Sequence, residues 1–196
     1  MIFIGLDLAG SPKRDTGLCI IEQNSVLANI IHTDEEILSV ISKLPIDEEI
    51  IVAIDAPLSL PFGRTNIDER NNVHFRQCDL ELRKLGIRFF PITLGPMRTL
   101  TKRGMGLKEK ILQMNPNSVV VEVYPGATYD SFSINRKDKI LINKWQNESV
   151  RVEQREYTQD ELDGITCAIT AKLFFEGKAH GIGNEKEGLI VIPKKK

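Results

Sequence analysis

Four aspartates and one glutamate stand out for where they fall. Asp7 ends the run Ile2-Phe3-Ile4-Gly5-Leu6, and Asp55 ends Ile50-Ile51-Val52-Ala53-Ile54. Both runs are apolar on both alternating faces, which assigns them to the middle of a covered sheet. Each breaks at once after its aspartate, on Ala9-Gly10-Ser11 and on Ala56-Pro57. A carboxylate at such a point is costly unless it is compensated. The compensation is either the amides of the following turn, or a metal ion or proton that the carboxylate handles. Glu122 sits near the end of a third apolar run, 118–123, before Tyr124-Pro125-Gly126. Asp160 and Asp163 are three apart at the start of a helical pattern, hence on one helical face. The helix dipole favours acids there and accounts for Asp160 alone. It accounts less well for Asp163, which adjoins the apolar Leu162.

In open α/β sheets, ligands bind beyond the carboxyl ends of the strands. Asp7 and Asp55 therefore reach one edge if their strands are parallel neighbours. Carboxylates about 4 Å apart repel by roughly 4 kcal/mol at an effective dielectric of 20. A converging set must then hold protons or a cation. Oxygen-only ligands point to Mg²⁺ or Mn²⁺. Zinc is disfavoured, because His32, His74 and His180 are isolated and no cysteine lies at ligand spacing. Two hard cations among carboxylates support phosphoryl transfer or phosphodiester hydrolysis. No phosphate-cradling glycine loop and no nucleophile-elbow serine offers a competing chemistry.

The elements that would position these acids alternate between strand and helix. Residues 16–23 and 25–32 read as a hairpin joined at Asn24-Ser25. Thr33 with Glu36 forms a capping box, and Ile37, Val40, Ile41 and Leu44 follow at helical spacing. A long loop is expected over 58–72, then a helix over 75–85 with Cys78 facing the core. A second helical stretch over 95–114 is interrupted at Arg103-Gly104-Met105-Gly106, and a short helix is expected over 136–145. Thr158 with Glu161 is a second capping box, opening a helix that runs to about Glu176 with Gly177 as its stop. Residues 188–192 are short and β-like. The order gives an α/β domain with a mixed sheet.

Net charge is −1, and it is unevenly spread. Residues 64–110 hold eleven Lys/Arg against five Asp/Glu, so that stretch is +6 and the remainder −7. The asymmetry marks either a solvated helical surface or a binding face. Arg76 and Arg83 either clamp a phosphate or pair with Asp79 in a structural network. Arg98, Lys102 and Arg103, beside two glycines, suit a basic flap over a nucleic-acid backbone. Phe75, Phe89 and Phe90 are read as core, so base stacking is not indicated. The apolar fraction of 41% is enough for a real core. No apolar run reaches membrane-span length, no signal peptide is evident, and three scattered cysteines fit a reducing cytoplasm.

Taken together, these residues resemble domain-of-unknown-function family 429, described as predicted nucleases of RNase H-like fold. The resemblance rests on Gly5-Leu-Asp-Leu-Ala-Gly-Ser11 with Thr16-Gly17, on Ala53-Ile-Asp-Ala-Pro-Leu-Ser-Leu-Pro61, and on Arg76-Gln-Cys-Asp79, Leu82-Arg83 and Phe90-Pro91. Glu122-Val-Tyr-Pro125 and Asp160-Glu-Leu-Asp163 complete it. It implies a five-stranded mixed sheet ordered 3-2-1-4-5, strand two antiparallel, with helices on both faces. As in RuvC-type resolvases, it assigns Asp7, Asp55, Asp160 and Asp163 to metal binding. Glu122 is an additional catalytic candidate without a counterpart in that scheme, and Gly164 stands where alanine is commoner. The expectation is a single domain over 1–196 with an inserted basic region at about 58–115. Its expected activity is that of a cytoplasmic Mg²⁺- or Mn²⁺-dependent nuclease using two ions, with the basic segment holding nucleic acid. The alternatives are an ATP-handling relative of the sugar-kinase and actin fold, and a non-catalytic nucleic-acid-binding module.

Overall fold

The two apolar runs that end in aspartate are adjacent parallel strands at the centre of the sheet. In the computed structural model, which describes residues 1–45, 47–135 and 150–194, β1 (Ile2–Asp7) pairs in parallel with β4 (Ile50–Ile54). On its other side β1 pairs antiparallel with β2 (Thr16–Glu22), which turns into β3 (Ser25–Ile31). The two-residue joint holds Gln23 at φ 47° and Asn24 at φ 67°. Two positive φ values give the turn a hand that suits the twist of the flanking strands.

The sheet is mixed, as expected, but it has seven strands rather than five. Its order is β3-β2-β1-β4-β5-β7-β6, with β5 at Val119–Val123, β6 at Ala179–Asn184 and β7 at Gly188–Pro193. The first five strands run in the expected order 3-2-1-4-5. Beyond them, β7 pairs parallel to β5, and β6 closes the sheet as an antiparallel hairpin partner. The sequence Ala179-His-Gly-Ile-Gly-Asn184 gave no strand signal, because two glycines interrupt its alternation.

Helices cover both faces. The helix α1 (Asp34–Ser42) opens on the Thr33/Glu36 capping box. With α3 (Gly95–Met114) it buries Ile2, Ile4, Leu6 and the same-facing residues of β4. The short α2 (Gln77–Lys84) lies over β6 and β7 through Cys78 and Leu82. On the opposite face, α4 (Pro125–Ser131) and α5 (Gln159–Phe175) pack on Phe3, Cys19, Ile51 and Ala53. The expected break in α3 at Arg103–Gly106 does not occur. A Cβ on Gly104 would lie 2.8 Å from the Ala56 Cβ and 3.1 Å from the Pro57 oxygen. The glycine lets the helix lie close to the turn after β4, and tertiary packing overrides its poor propensity. The helix expected over 136–145 lies outside the described residues. Among the described residues, no helix is long and apolar enough to cross a membrane.

Candidate carboxylate site and its surroundings

Parallel pairing sets the first two acids side by side. The ladder ends at Leu6 opposite Ile54, and the Asp55 amide donates to the Leu6 oxygen at 2.8 Å. Asp7 and Asp55 therefore leave neighbouring strands together. Alternation puts Asp7 on the face of Phe3 and Gly5, and Asp55 on the face of Ile51 and Ala53. This is the face that α5 covers.

Three glycines bring α5 to that edge. A Cβ on Gly17 would sit 1.7 Å from the Asp160 carbonyl oxygen. One on Gly164 would sit 2.8 Å from the Gly17 oxygen, and one on Gly5 would sit 2.1 Å from the Gly164 oxygen. The helix start is fixed by the second capping box: the Glu161 amide donates to Thr158 Oγ1 at 3.2 Å, and the Thr158 amide donates to Glu161 Oε2 at 2.9 Å. Arg155 pairs with Glu161 at 2.7 Å and holds its carboxyl below the usual range.

The side chains meet as follows. Asp160 is hydrogen-bonded to Asp7. Burial and the nearby Asp15 raise the Asp160 pKa, and the Asp7 contact opposes that rise. Asp163 accepts from the Tyr129 hydroxyl and from Gln159 Nε2, the latter at 3.1 Å. Tyr129 is fully buried, and Thr166 Oγ1 donates to its hydroxyl at 3.0 Å. Burial and then Asp163 push the Tyr129 pKa far up, so it stays a donor. One turn beyond Asp163, the buried Cys167 thiol is pushed up by burial and then by the negative fields of Asp55, Asp7 and Asp163. Asp7 and Asp55 at the strand ends, with Asp160 and Asp163 at the start of α5, thus lie along one sheet edge. Asp7, Asp160, Asp15 and Arg14 line a cleft of about 460 Å³ there.

Glu122 is set apart from this group. It pairs in register with Ile54, so its side chain points to the other sheet face. It accepts from the Leu58 amide at 2.8 Å and from Arg76 Nη1 and Nη2 at 2.6 and 2.7 Å. Arg76 spends its remaining donors on Asp79 Oδ2 and Oδ1, at 3.2 and 2.9 Å, and on Ser59 Oγ at 3.1 Å. All five guanidinium hydrogens are used, and the side chain is 2% exposed. Of the two readings of Arg76, the structural network with Asp79 is the one formed.

The other basic candidates divide. Arg83 lies 4.3 Å over the Phe75 ring and 6.0 Å from the Phe89 ring, apart from Arg76. Lys102 is exposed and pairs with Asp68 at 2.5 Å. Arg98 donates to the Thr93 oxygen at 2.8 Å. Arg103 is a buried strut: it donates to Asp34 at 2.8 Å, to the Ala9 oxygen at 2.7 Å and to the His32 oxygen at 2.6 Å. These contacts tie α3 to the turn after β1, so Arg103 is not part of a flap. The long loop 58–72 is likewise organised internally. The buried Arg64 donates to the oxygens of Val73, Glu69 and Ile67 at 2.8, 2.7 and 3.2 Å.

Arg14, Tyr129 and Thr166 are site residues that sequence reasoning missed. Arg14 had one signal, its place in the turn that follows Asp7. Tyr129 had none, because its bond to Asp163 spans 34 residues and joins two helices.

In donor chemistry the set fits a hard divalent cation: it is all oxygen, and two of its carboxylates already touch. Asp7, Asp55, Asp160 and Asp163 are the residues that would hold it. Among the described residues, no group of three or more His, Cys, Asp or Glu stands in ready ligating geometry. Comparison with curated proteins and with solved structures gave no match. A family model described as "Protein of unknown function (DUF429)" matches residues 5–188, and the chain belongs to that family.

Proposed function

We propose that the chain is a Mg²⁺- or Mn²⁺-dependent nuclease of RNase H-like fold, hydrolysing phosphodiester bonds in nucleic acid. One observation carries the reading: Asp7 and Asp55 end adjacent central parallel strands, and close glycine contacts bring the start of α5, with Asp160 and Asp163, to the same carboxyl edge. The run β3-β2-β1-β4-β5, with β2 antiparallel to its neighbours, supports the fold assignment. Bound ions would supply Lewis-acid chemistry, lowering the pKa of water and neutralising the leaving oxygen.

The residues divide the remaining work. Asp7 and Asp160, joined by a hydrogen bond, would exchange that contact for a shared cation. Tyr129 and Gln159 both hold Asp163 Oδ1 and thereby set the orientation of its carboxyl. Glu122 stays committed to Arg76 and the Leu58 amide, which argues against its serving as the base. Surface cations near the edge, Arg98 and Lys102 among them, are the candidates for backbone contacts. Three free, buried cysteines suit a reducing compartment such as the cytoplasm.

The test is a cleavage screen. Labelled single strands, duplexes, RNA–DNA hybrids, branched junctions and ATP are incubated with Mg²⁺ or Mn²⁺. Metal-dependent strand cleavage that Asp7→Asn and Asp163→Asn both abolish is the expected result. Turnover of ATP with all strands left intact would overturn the reading.

A further inference from the structure

A second cleft opens beside the acids, and its walls are of a different kind. It encloses about 180 Å³ and is lined by Asp55, Phe89, Phe90, Met97, Leu100 and Tyr124, with the Arg76–Glu122 pair at its floor. Asp55 borders both this cleft and the acid cluster. The floor offers no free charge donor: every N–H of Arg76 is spent, and both Glu122 oxygens are engaged. A phosphate therefore finds no partner at the floor, whereas a flat, uncharged group finds aromatic and aliphatic walls.

The walls are prebuilt. Phe89 meets Phe75 edge-on, with centroids 6.2 Å apart at 88°. The Tyr124 hydroxyl donates to the Arg88 oxygen at 2.7 Å and pins the segment between α2 and α3. Phe90, expected in the core, is 68% exposed at the rim. An aromatic ring held in water beside a cleft is a stacking platform without its partner.

Resting on the nuclease reading, we propose that this cleft takes one unpaired nucleobase of the strand whose phosphodiester lies at the aspartates. A nucleotide's base and phosphate are separated by one sugar, which suits two sites that share Asp55. A base still paired in a duplex cannot present its faces to such a cleft. The substrate class is therefore single-stranded nucleic acid, or a duplex with an extruded base.

The test measures binding by fluorescence anisotropy with Ca²⁺ in place of Mg²⁺. Three probes of equal length are used: a single strand, its abasic counterpart and a duplex. The single strand should bind about tenfold more tightly than the abasic strand and more tightly than the duplex. Phe90→Ala should weaken single-strand binding about five- to tenfold, within the range for loss of one stacked base, and leave abasic binding unchanged. The ring is exposed, so the variant should keep its melting midpoint. Equal affinity for abasic and base-bearing strands, or no effect of Phe90→Ala, overturns the base site and leaves the nuclease reading standing. Preference for the duplex does the same. A free nucleoside monophosphate that competes as well as the strand overturns the assignment to a strand. Failure of all three probes to bind overturns this inference and the nuclease reading together.

Discussion

Replacing Asp7 by asparagine tests the site without knowledge of its substrate. Asp7 and Asp160 are joined by a hydrogen bond, and both are half-buried. At neutral pH without metal, the pair either keeps a proton that the unfolded chain has released or bears the repulsion of two charges. That repulsion at about 4 Å is roughly 1 kcal/mol in water and about 4 kcal/mol at an effective dielectric of 20. Partial exposure favours the lower part of this range, about 1–2 kcal/mol. The asparagine amide donates the same hydrogen bond and needs no proton from solution. At about 2–4 °C per kcal/mol for a chain of this size, Asp7→Asn should melt about 2–8 °C above wild type in EDTA. The sign of the pH dependence follows. Because the Asp160 pKa is raised by burial and by the nearby Asp15, the folded chain binds more protons than the unfolded chain above the ordinary aspartate range, near 3.9, so wild-type stability falls as pH rises. The gap between variant and wild type should thus widen from about pH 4 to neutrality. Mn²⁺ at a hundred times its Kd would stabilise wild type by about 2.7 kcal/mol, about 5–10 °C, and the variant by less than half of that. Differential scanning fluorimetry over pH and Mn²⁺ reads all three effects. A variant that melts lower, with Mn²⁺ shifting both proteins alike, would show that Asp7 only caps its turn.

Six further substitutions, in five variants, separate structure from site. Arg76→Met leaves Asp79 and Glu122 buried without their cation and should cost about 3–5 kcal/mol in urea melts; a loss under 1 kcal/mol would remove the triad from the structural account. Tyr129→Phe should weaken Mn²⁺ binding about tenfold by calorimetry, and unchanged affinity would mean that the hydroxyl does not orient Asp163. Gly17→Ala drives a methyl into the Asp160 carbonyl and should cost about 3 kcal/mol, together with metal-induced stabilisation. Arg103→Ala should lower the midpoint but leave the salt dependence of nucleic-acid binding unchanged, whereas Arg98→Ala combined with Lys102→Ala should make it shallower by up to about two phosphate contacts.

The strands that carry Asp7 and Asp55 were legible because a buried parallel strand is a continuous apolar run. A run that stops on an aspartate and a turn also declares its functional end. Both capping boxes were legible for the same reason of locality, each being four residues long. What was not legible depends on contacts between distant residues. Gly104 looked like a helix break until the turn at Ala56 occupied the space of its Cβ. Phe90 looked like core because a single phenylalanine carries no sign of which way its segment turns. The charge of the middle segment misled most. Arg64, Arg76 and Arg103 contribute three of its eleven basic residues, and all three are turned inward to satisfy carbonyls or carboxylates. A count of charges does not separate an arginine that meets a phosphate from one that braces a loop.

The division of the acids into two sets follows from the pleat and from glycine. Asp7 and Asp55 lie one position beyond Leu6 and Ile54, so they face α5. Glu122 is level with Ile54 and faces away. One residue of register therefore assigns Glu122 to a different face of the same edge, where Arg76 neutralises it. On the α5 face Gly5, Gly17 and Gly164 let the helix approach so closely that Asp160 meets Asp7. A fold selected only for stability would gain from a basic side chain between the acids. Keeping the glycines holds the carboxylates together, at a cost that a bound divalent ion would offset.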